Sequence, residues 1–270
     1  MTALAAPVLE RSYGAARLGF GPRPGGAALK TLHQSGSAKA FVHPTPQGPE
    51  VIFLNTSGGM TGGDRLSYGL DLGPGCRVTA STQTAERAYR STSGRAEVTV
   101  DHALSPGAHL DWLPQETILF DGAALRRDTT VTLAKDASCL LQEAVVLGRA
   151  AMGERLETLD LQDHRRVLRD GALVLFEPLA LTAGALTAGL GVLQGARAFA
   201  TLALVGQGAE AALPAVRAVL DEPGVMGGAS GLDGRLMIRL MAQDGWPLRR
   251  QILRLLTVLR PGPLPRVWLM

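Results

Sequence analysis

Ala96-Glu-Val-Thr-Val-Asp101 alternates apolar and polar residues with period two, and Arg77-Val-Thr-Ala-Ser-Thr82 before it does the same. A β-strand points successive side chains to opposite faces, so this alternation marks strands with one face buried and one wet. Thr129-Thr-Val-Thr-Leu133 repeats it, and Ser138–Val146 carries it into a run that is apolar on both faces at Ala144, Val145 and Val146. Val51–Leu54, Ala172–Phe176, Phe199–Val205 and Leu236–Met241 are further runs of this kind. Gly, Pro or Asp separates nearly every pair, at the spacing of an all-β sandwich or barrel. The expected fold is mainly β, with layered sheets arranged as a sandwich or superhelix.

Two segments depart from that pattern and predict about two α-helices. Asp244 is placed to cap a helix over Trp246–Arg260, whose Leu248, Ile252, Leu255, Leu256 and Leu259 form one apolar stripe. Arg249, Arg250, Arg254 and Arg260 take much of the other side, and Pro261-Gly-Pro263 ends the helix. A second helix is expected around Ala209–Leu220, with Pro214 in its first turn or at a kink. No fixed-period repeat and no linker-like shift in composition is visible, so residues 1–270 read as a single domain.

Of the 270 residues, 46% are hydrophobic and 19% charged, the balance of a packed chain rather than a disordered one. The net charge is +3, and Lys occurs only at Lys30, Lys39 and Lys135, so the basic residues are nearly all Arg. They are spread along the chain without interleaved aromatics, which argues against nucleic acid. The pairs Arg126–Arg127, Arg165–Arg166 and Arg249–Arg250 read as solvated faces. Cys76 and Cys139 have neither a CxxC nor a nearby His, so no disulfide framework or zinc motif is expected. The N-terminus lacks a basic, apolar leader, and the longest apolar stretch, Leu179–Leu193, is broken by Gly184, Gly189 and Gly191. A soluble cytoplasmic protein with no membrane segment is the expectation. The stretch Leu179–Leu204 holds one charged residue, Arg197, and is expected to present an apolar surface to a partner.

The Gly-rich segment Ser57-Gly-Gly-Met-Thr-Gly-Gly-Asp64 lacks the Gly-Lys-Ser/Thr of a phosphate loop and lies between strand-like runs. Its glycines read as backbone devices for positive φ and close chain approach. A weaker reading makes it a nest of backbone N–H groups for a small anion. Gly227-Gly-Ala-Ser-Gly231 is only loosely like a nucleophile elbow. The five histidines offer no pair at metal-ligand spacing, although His102 and His109 flank a Ser-Pro-Gly turn where a hairpin would bring them together. The alternative function is a hydrolase assembled in space from Ser57 or Ser230, His102 and Asp64.

Asp64, Glu86, Glu116, Asp121, Glu143, Glu154 and Glu177 sit among apolar or small residues, where a carboxylate is costly unless paired. One reading pairs each with a nearby Arg such as Arg65, Arg87 or Arg149. The other makes them a polar path of weak oxygen ligands for a divalent cation, with Asp64, Glu177 and Glu143 the candidate metal residues.

Four segments in order resemble the urease accessory protein UreD (UreH) family. They are Thr56-Ser-Gly-Gly-Met-Thr-Gly-Gly-Asp-Arg-Leu66, Thr82-Gln-Thr-Ala-Glu-Arg-Ala-Tyr-Arg-Ser91, Trp112-Leu-Pro-Gln-Glu-Thr-Ile-Leu-Phe-Asp-Gly-Ala123 and Leu147-Gly-Arg-Ala-Ala-Met-Gly-Glu154. The ending Pro265-Arg-Val-Trp268 is similar as well, whereas Ser57-Gly58 and Pro22–Lys30 depart from the family pattern. The resemblance implies a mostly β fold with two helices and a scaffold without catalytic residues or a tightly bound cofactor. It also implies assembly with UreF and the GTPase UreG on apo-urease, with nickel passing in transit to the urease active site.

Overall fold

The computed structural model describes residues 10–188 and 192–269. In chain order the strands are β1 (Tyr13–Arg23), β2 (Gly26–Gly36), β3 (Ala38–His43), β4 (Glu50–Asn55), β5 (Arg65–Leu72), β6 (Arg77–Thr82), β7 (Glu86–Ala88), β8 (Ala96–Leu104) and β9 (His109–Trp112). They continue as β10 (Thr117–Leu119), β11 (Ala123–Leu133), β12 (Ser138–Leu147), β13 (Leu159–Arg169), β14 (Ala172–Thr182), β15 (Ala198–Val205), β16 (Val225–Leu232) and β17 (Arg235–Ala242). The α-helices are α1 (Ala183–Thr187), α2 (Leu213–Ala218) and α3 (Gly245–Leu259).

Two sheets face each other. One has the order β14-β13-β11-β8-β5-β1-β2, the other β16-β17-β15-β12-β9-β6-β4-β3, with β10 beside β12 and β7 beside β10. From β4 to β13 the chain alternates between the sheets, so neighbours within each sheet run parallel: β5, β8, β11 and β13 in the first, β4, β6, β9 and β12 in the second. Parallel neighbours need a long crossover, and here the crossover is a strand of the opposite sheet. The result is a β-solenoid. Its corners repeat one tight turn: Cys76 N–H donates to Gly73 O at 3.1 Å, Ala108 to Ser105 O at 3.1 Å, and Ala137 to Ala134 O at 3.0 Å. The corners stack through Gly75 N–H to Pro106 O and Gly107 N–H to Asp136 Oδ1, both at 2.9 Å. A structural repeat therefore exists where the sequence shows no fixed period, because the corner residues differ from coil to coil.

One core fills the space between the sheets, and a second lies between the outer face of the β12–β15–β17 sheet and α2 and α3. The β12 alternation explains both. Cys139, Leu141, Val145 and Leu147 face the other sheet, while Leu140 and Ala144 face the helices, which is why this strand is apolar on both sides.

Helix α3 follows its expected boundaries. Asp244 has extended backbone and its carboxylate accepts the Trp246 N–H at 2.8 Å. Leu248, Ile252, Leu255 and Leu256 are buried over the sheet, and Leu259 is half-buried. Arg260, expected on the wet side, is instead buried, with Nε donating to Asp111 Oδ2 at 2.8 Å and the guanidinium reaching Thr79 and Pro263 O. The second expected helix appears as a 3-10 turn at Ala209–Ala212 followed by α2, with Pro214 in its first turn. Leu255→Ala should cost about 2–5 kcal/mol. Arg250→Ala, which loses only a half-exposed ion pair to Glu222, should cost well under about 1 kcal/mol. Denaturant unfolding checks both, and equal effects would overturn this placement of the stripe.

The Leu179–Leu204 stretch is only in part the exposed surface expected from its composition: Val192 and several residues before it are exposed, whereas its β15 part is not. Ala198, Ala200, Leu202, Ala203 and Val205 are buried in β15, in the interior of its sheet; Gly189, Leu190 and Gly191 lie outside the described residues. Further exposed large apolar side chains occur at Leu173 and Phe176 on β14 and at Met226 and Leu232 on β16. Those two strands are the free edges at one end of the solenoid. No helix among the described residues is long and apolar enough to cross a membrane.

Candidate functional site

Three strands of the first sheet carry charge on their inner faces near that open end. On β11 the inward residues are Leu125, Arg127, Thr129, Val131 and Leu133, and on β13 they are Leu161, Asp163, Arg165 and Val167. The register pairs Arg127 with Asp163 and Arg165 with Glu177 of β14. In the facing sheet, Glu143 of β12 lies beside Thr201 of β15, and Thr201 beside Arg239 of β17. Period-two alternation thus assembles a polar belt inside an otherwise apolar sandwich.

The contacts are specific. Arg127 grips Asp163 with two hydrogen bonds, Nε to Oδ1 at 3.1 Å and Nη2 to Oδ2 at 2.7 Å, and Nη1 donates to Thr117 Oγ1 at 3.1 Å. Nη1 also lies 2.7 Å from Glu143 Oε2, an ion pair in which that oxygen has no well-formed hydrogen bond. Glu143 Oε1 accepts from Trp112 Nε1 at 3.1 Å. Burial pushes the Glu143 carboxyl up, with Arg127 only partly offsetting it. Asp163 is equally buried, but Arg127 and Arg165 outweigh burial and hold its carboxyl below the usual range. The guanidinium of Arg127 is committed to Asp163 and leans on Glu143. Thr129 Oγ1 and Arg165 Nε, in the same belt, also lack a hydrogen bond, although Arg165 Nε lies 3.8 Å from Asp163 Oδ2.

Two spaces adjoin the belt. A groove of about 660 Å³ opens between the two free edges, lined by Arg165, Glu177, Thr201 and Arg239, and there Arg239 pairs with Glu177. A small internal cavity of about 40 Å³ is lined by Glu86, Glu143, Arg127, Thr117, Gln115 and Thr82. Glu86 and Thr82 also line a recess at the Asn55–Gly58 turn. Burial pushes the Glu86 carboxyl up to about 7, with Asn55, 3.4 Å away, only partly offsetting it.

An acid whose folded pKa is raised from 4.5 to about 7 favours the fold below its unfolded value and loses that contribution as pH rises through about 7. Glu86→Gln should therefore raise the melting temperature at pH 8 and change it little at pH 4.5. A fall at pH 8 would show that the charged form is paired and stabilising.

Of the three candidate metal residues, Glu143 and Glu177 lie on the belt and Asp64 lies apart from both spaces. Asp64 Oδ1 accepts the Ser12 N–H at 2.8 Å and Oδ2 the Thr61 N–H at 2.7 Å, which fastens the Gly-rich turn to the chain before β1. Most of the other acids take arginine partners: Asp121 with Arg90, Glu154 with Arg149, Glu116 with Arg249. His102 and His109 do not meet across a hairpin, because the Ser-Pro-Gly turn carries the chain from one sheet to the other. His102 stacks on Trp112 at 4.7 Å with neither ring nitrogen partnered, and burial pushes its pKa down to about 3, so the ring is neutral. His109 bonds Ser138 Oγ and Asp111 instead.

Sequence reasoning missed Arg127, Asp163 and Arg165. Two of the three arginine pairs read as solvated place one member on each side: Arg127 and Arg165 are buried, while Arg126 is exposed and Arg166 partly so. The signal was parity, since Arg127 shares a face with Leu125 and Val131.

The UreD urease accessory protein family model matches residues 12–269. The chain belongs to that family. It is similar to a urease accessory protein UreD of Cereibacter sphaeroides, 57% identical with 99% of each chain covered. It also resembles those of Paracoccus denitrificans, at 51% with 97% of this chain and 94% of the other covered, and of Rhizobium leguminosarum, at 43% with 99% of each. As a UreD protein it is a chaperone of urease maturation and not an enzyme. Its family segments converge in space. Tyr89 Oη donates to Gly58 O at 3.0 Å, Ser91 N–H to Gly122 O at 2.9 Å, and the Arg149 guanidinium stacks 4.6 Å from the Phe120 ring, linking all four blocks.

Proposed function

We propose that this UreD protein passes nickel through the space between its sheets, from the accessory complex to apo-urease. The observation that carries this reading is the belt itself. Carboxylates at Glu177, Glu143 and Glu86 lie in turn at the open groove, in the interior and at the small cavity behind the Asn55–Gly58 turn. A buried charge is expensive, yet the fold keeps several, and three belt atoms have no hydrogen bond. Carboxylate oxygens bind a borderline divalent cation weakly enough to release it, whereas a tight His/Cys site would trap it. Asp64 serves this path by fixing the turn beside its outer end through its two backbone hydrogen bonds.

UreF, the GTPase UreG and apo-urease are the proposed partners, in the cytoplasm, and nickel is cargo rather than a bound cofactor. The exposed apolar residues on β14 and β16 frame the groove, which suits a partner-covered end. The test is urease activation at limiting nickel. Glu143→Gln and Glu177→Gln should assemble with partners as wild type does, yet lower activation several-fold, with excess nickel restoring part of it. Asp64→Asn should weaken the turn as well as activation. Full activation by the Glu143→Gln/Glu177→Gln double variant at limiting nickel would refute the path, and failure of that variant to assemble would give these acids a structural role.

A further inference from the structure

We propose that Arg127 is the gate of this interior path: a resident cation that occupies the charge position of the cargo, and that yields Glu143 while keeping Asp163. The inference rests on the transit reading and adds a regulatory residue to it.

The charges around the belt make the case. With every group ionised, Glu86, Glu143 and Asp163 opposed by Arg127 and Arg165 leave one net negative charge at most, and burial, which raises the Glu86 and Glu143 carboxyls, reduces even that, too little to draw a dication inward. Arg127 lines the same cavity as Glu86 and Glu143, pairs with Glu143 at 2.7 Å and lies close enough to Glu86 for their charges to interact, so its guanidinium supplies the positive charge that a cation shared by those two carboxylates would bring. Its two attachments are unequal. Asp163 accepts two hydrogen bonds in the fork geometry that guanidinium and carboxylate share. Glu143 Oε2 lies at 2.7 Å without a well-formed hydrogen bond. Glu143 is the carboxylate that can be taken from Arg127 at least loss, and Asp163 gives the guanidinium a place to stay when that happens.

The cavity fits such an exchange. A water needs about 10–15 Å³ of cavity space, so about 40 Å³ holds only a few waters and no ion with a full hydration shell. A dication there must replace lost waters with protein oxygens, and in a lining otherwise largely apolar the residues that carry them are Glu86, Glu143, Thr117, Thr82 and Tyr68, the Gln115 amide oxygen being held by Arg249. Oxygen donors of this kind suit a hard or borderline divalent cation. Removing the guanidinium should turn a space that passes the ion into one that holds it.

The test is nickel binding, read by calorimetry on the full-length chain prepared identically for each variant, with nickel chloride as the probe. Arg127→Met combined with Asp163→Asn removes the gate and its tight partner together, leaving the net charge of the belt unchanged. This variant should gain nickel affinity by about tenfold or more, and adding Glu143→Gln should abolish the gain. Arg127→Lys is the second variant, retaining the charge should the first not fold. One ammonium lacks the planar fork that holds Asp163 at two oxygens, so a smaller gain is expected, again lost with Glu143→Gln. Affinity unchanged in whichever variant folds, or a gain that survives Glu143→Gln, overturns the gate. The transit reading fails separately, through the activation assay. An affinity gain alongside normal activation by the Glu143→Gln/Glu177→Gln variant would leave Arg127 guarding a cation site that is not on the nickel path.

Discussion

Trp268→Ala is expected to destabilise the chain by about 3–5 kcal/mol, with a fall in thermal midpoint of about 2–4 °C for each kcal/mol. Trp268 is among the largest fully buried side chains, two residues from the C-terminus. Its indole N–H donates to Leu113 O at 3.0 Å, and the Arg249 guanidinium of α3 lies 4.8 Å from the ring. The tail around it is tied down at several points. Arg266 N–H donates to Glu50 Oε1 at 3.1 Å, Gln115 Nε2 to Val267 O at 3.2 Å, and Arg249 to both the Gln115 side chain and Trp268 O. One short segment thereby joins β4, the loop after β9 and α3, which are far apart in sequence. Trp268→Phe keeps most of the apolar burial and loses the indole hydrogen bond, so it should cost only about 1 kcal/mol. Wild-type melting of Trp268→Ala would show that the tail merely rests on the surface.

What the sequence made legible is what depends on near neighbours. The α3 boundaries could be read because Asp244, the leucine stripe and Pro261 act within a few residues of where they stand. All eight expected strands are present for a similar reason: burial of one face writes period two into the strand itself. Nine strands were not among those expected: β2 lacks that signal, whereas Ala16, Leu18 and Phe20 of β1 and Leu66, Tyr68, Leu70 and Leu72 of β5 do alternate but are interrupted by Gly19, Gly21 and Gly69. Nearly every residue of β2 but Ala27 is at least partly exposed, and the strand exists by pairing with β1. The solenoid coil escaped because stacked corners need only a common backbone turn, which Gly73-Pro-Gly-Cys76, Ser105-Pro-Gly-Ala108 and Ala134-Lys-Asp-Ala137 all make with different side chains.

The site was partly legible for a physical reason of the same kind. Glu143 and Glu177 stood out because an acid among apolar residues is unusual. Arg127 and Asp163 sit in polar company at Arg126–Asp128 and Gln162–Arg166, where composition suggests water. Only the registers of β11 and β13 place them inward, and register is set by strands distant in sequence. Asp64 stood out correctly as buried, but its hydrogen bonds to Ser12 and Thr61 depend on where the chain before β1 passes.

Gly62→Val should have an effect comparable to Trp268→Ala, a loss of about 3 kcal/mol or more of stability or of soluble protein altogether. The reason is close approach, not dihedral strain, since Gly62 has no positive φ. A Cβ at Gly62 would overlap Ser91 Oγ and the Ser93 carbonyl and lie 2.8 Å from Gly94 O. These atoms cannot easily retreat: Ser91 Oγ donates to Ser93 O and Gly94 O at 3.1 and 2.8 Å, and Ser91 N–H is held by Gly122 O. Gly58 provides the contrast. Its φ is +78° but a Cβ there would meet nothing within 4 Å, so Gly58→Ala should cost only the left-handed strain of about 1–2 kcal/mol. Gly59, at φ +150°, combines both constraints, since a Cβ would strike the Tyr89 ring and lie 2.9 Å from Arg87 O. The Gly-rich turn is thus held against the Tyr89–Gly94 segment, and the recess lined by Asn55, Gly58 and Glu86 lies beside that junction. Thermal unfolding of the two variants separates the causes. If Gly62→Val melted like wild type while Gly58→Ala did not, backbone conformation would matter here and chain packing would not.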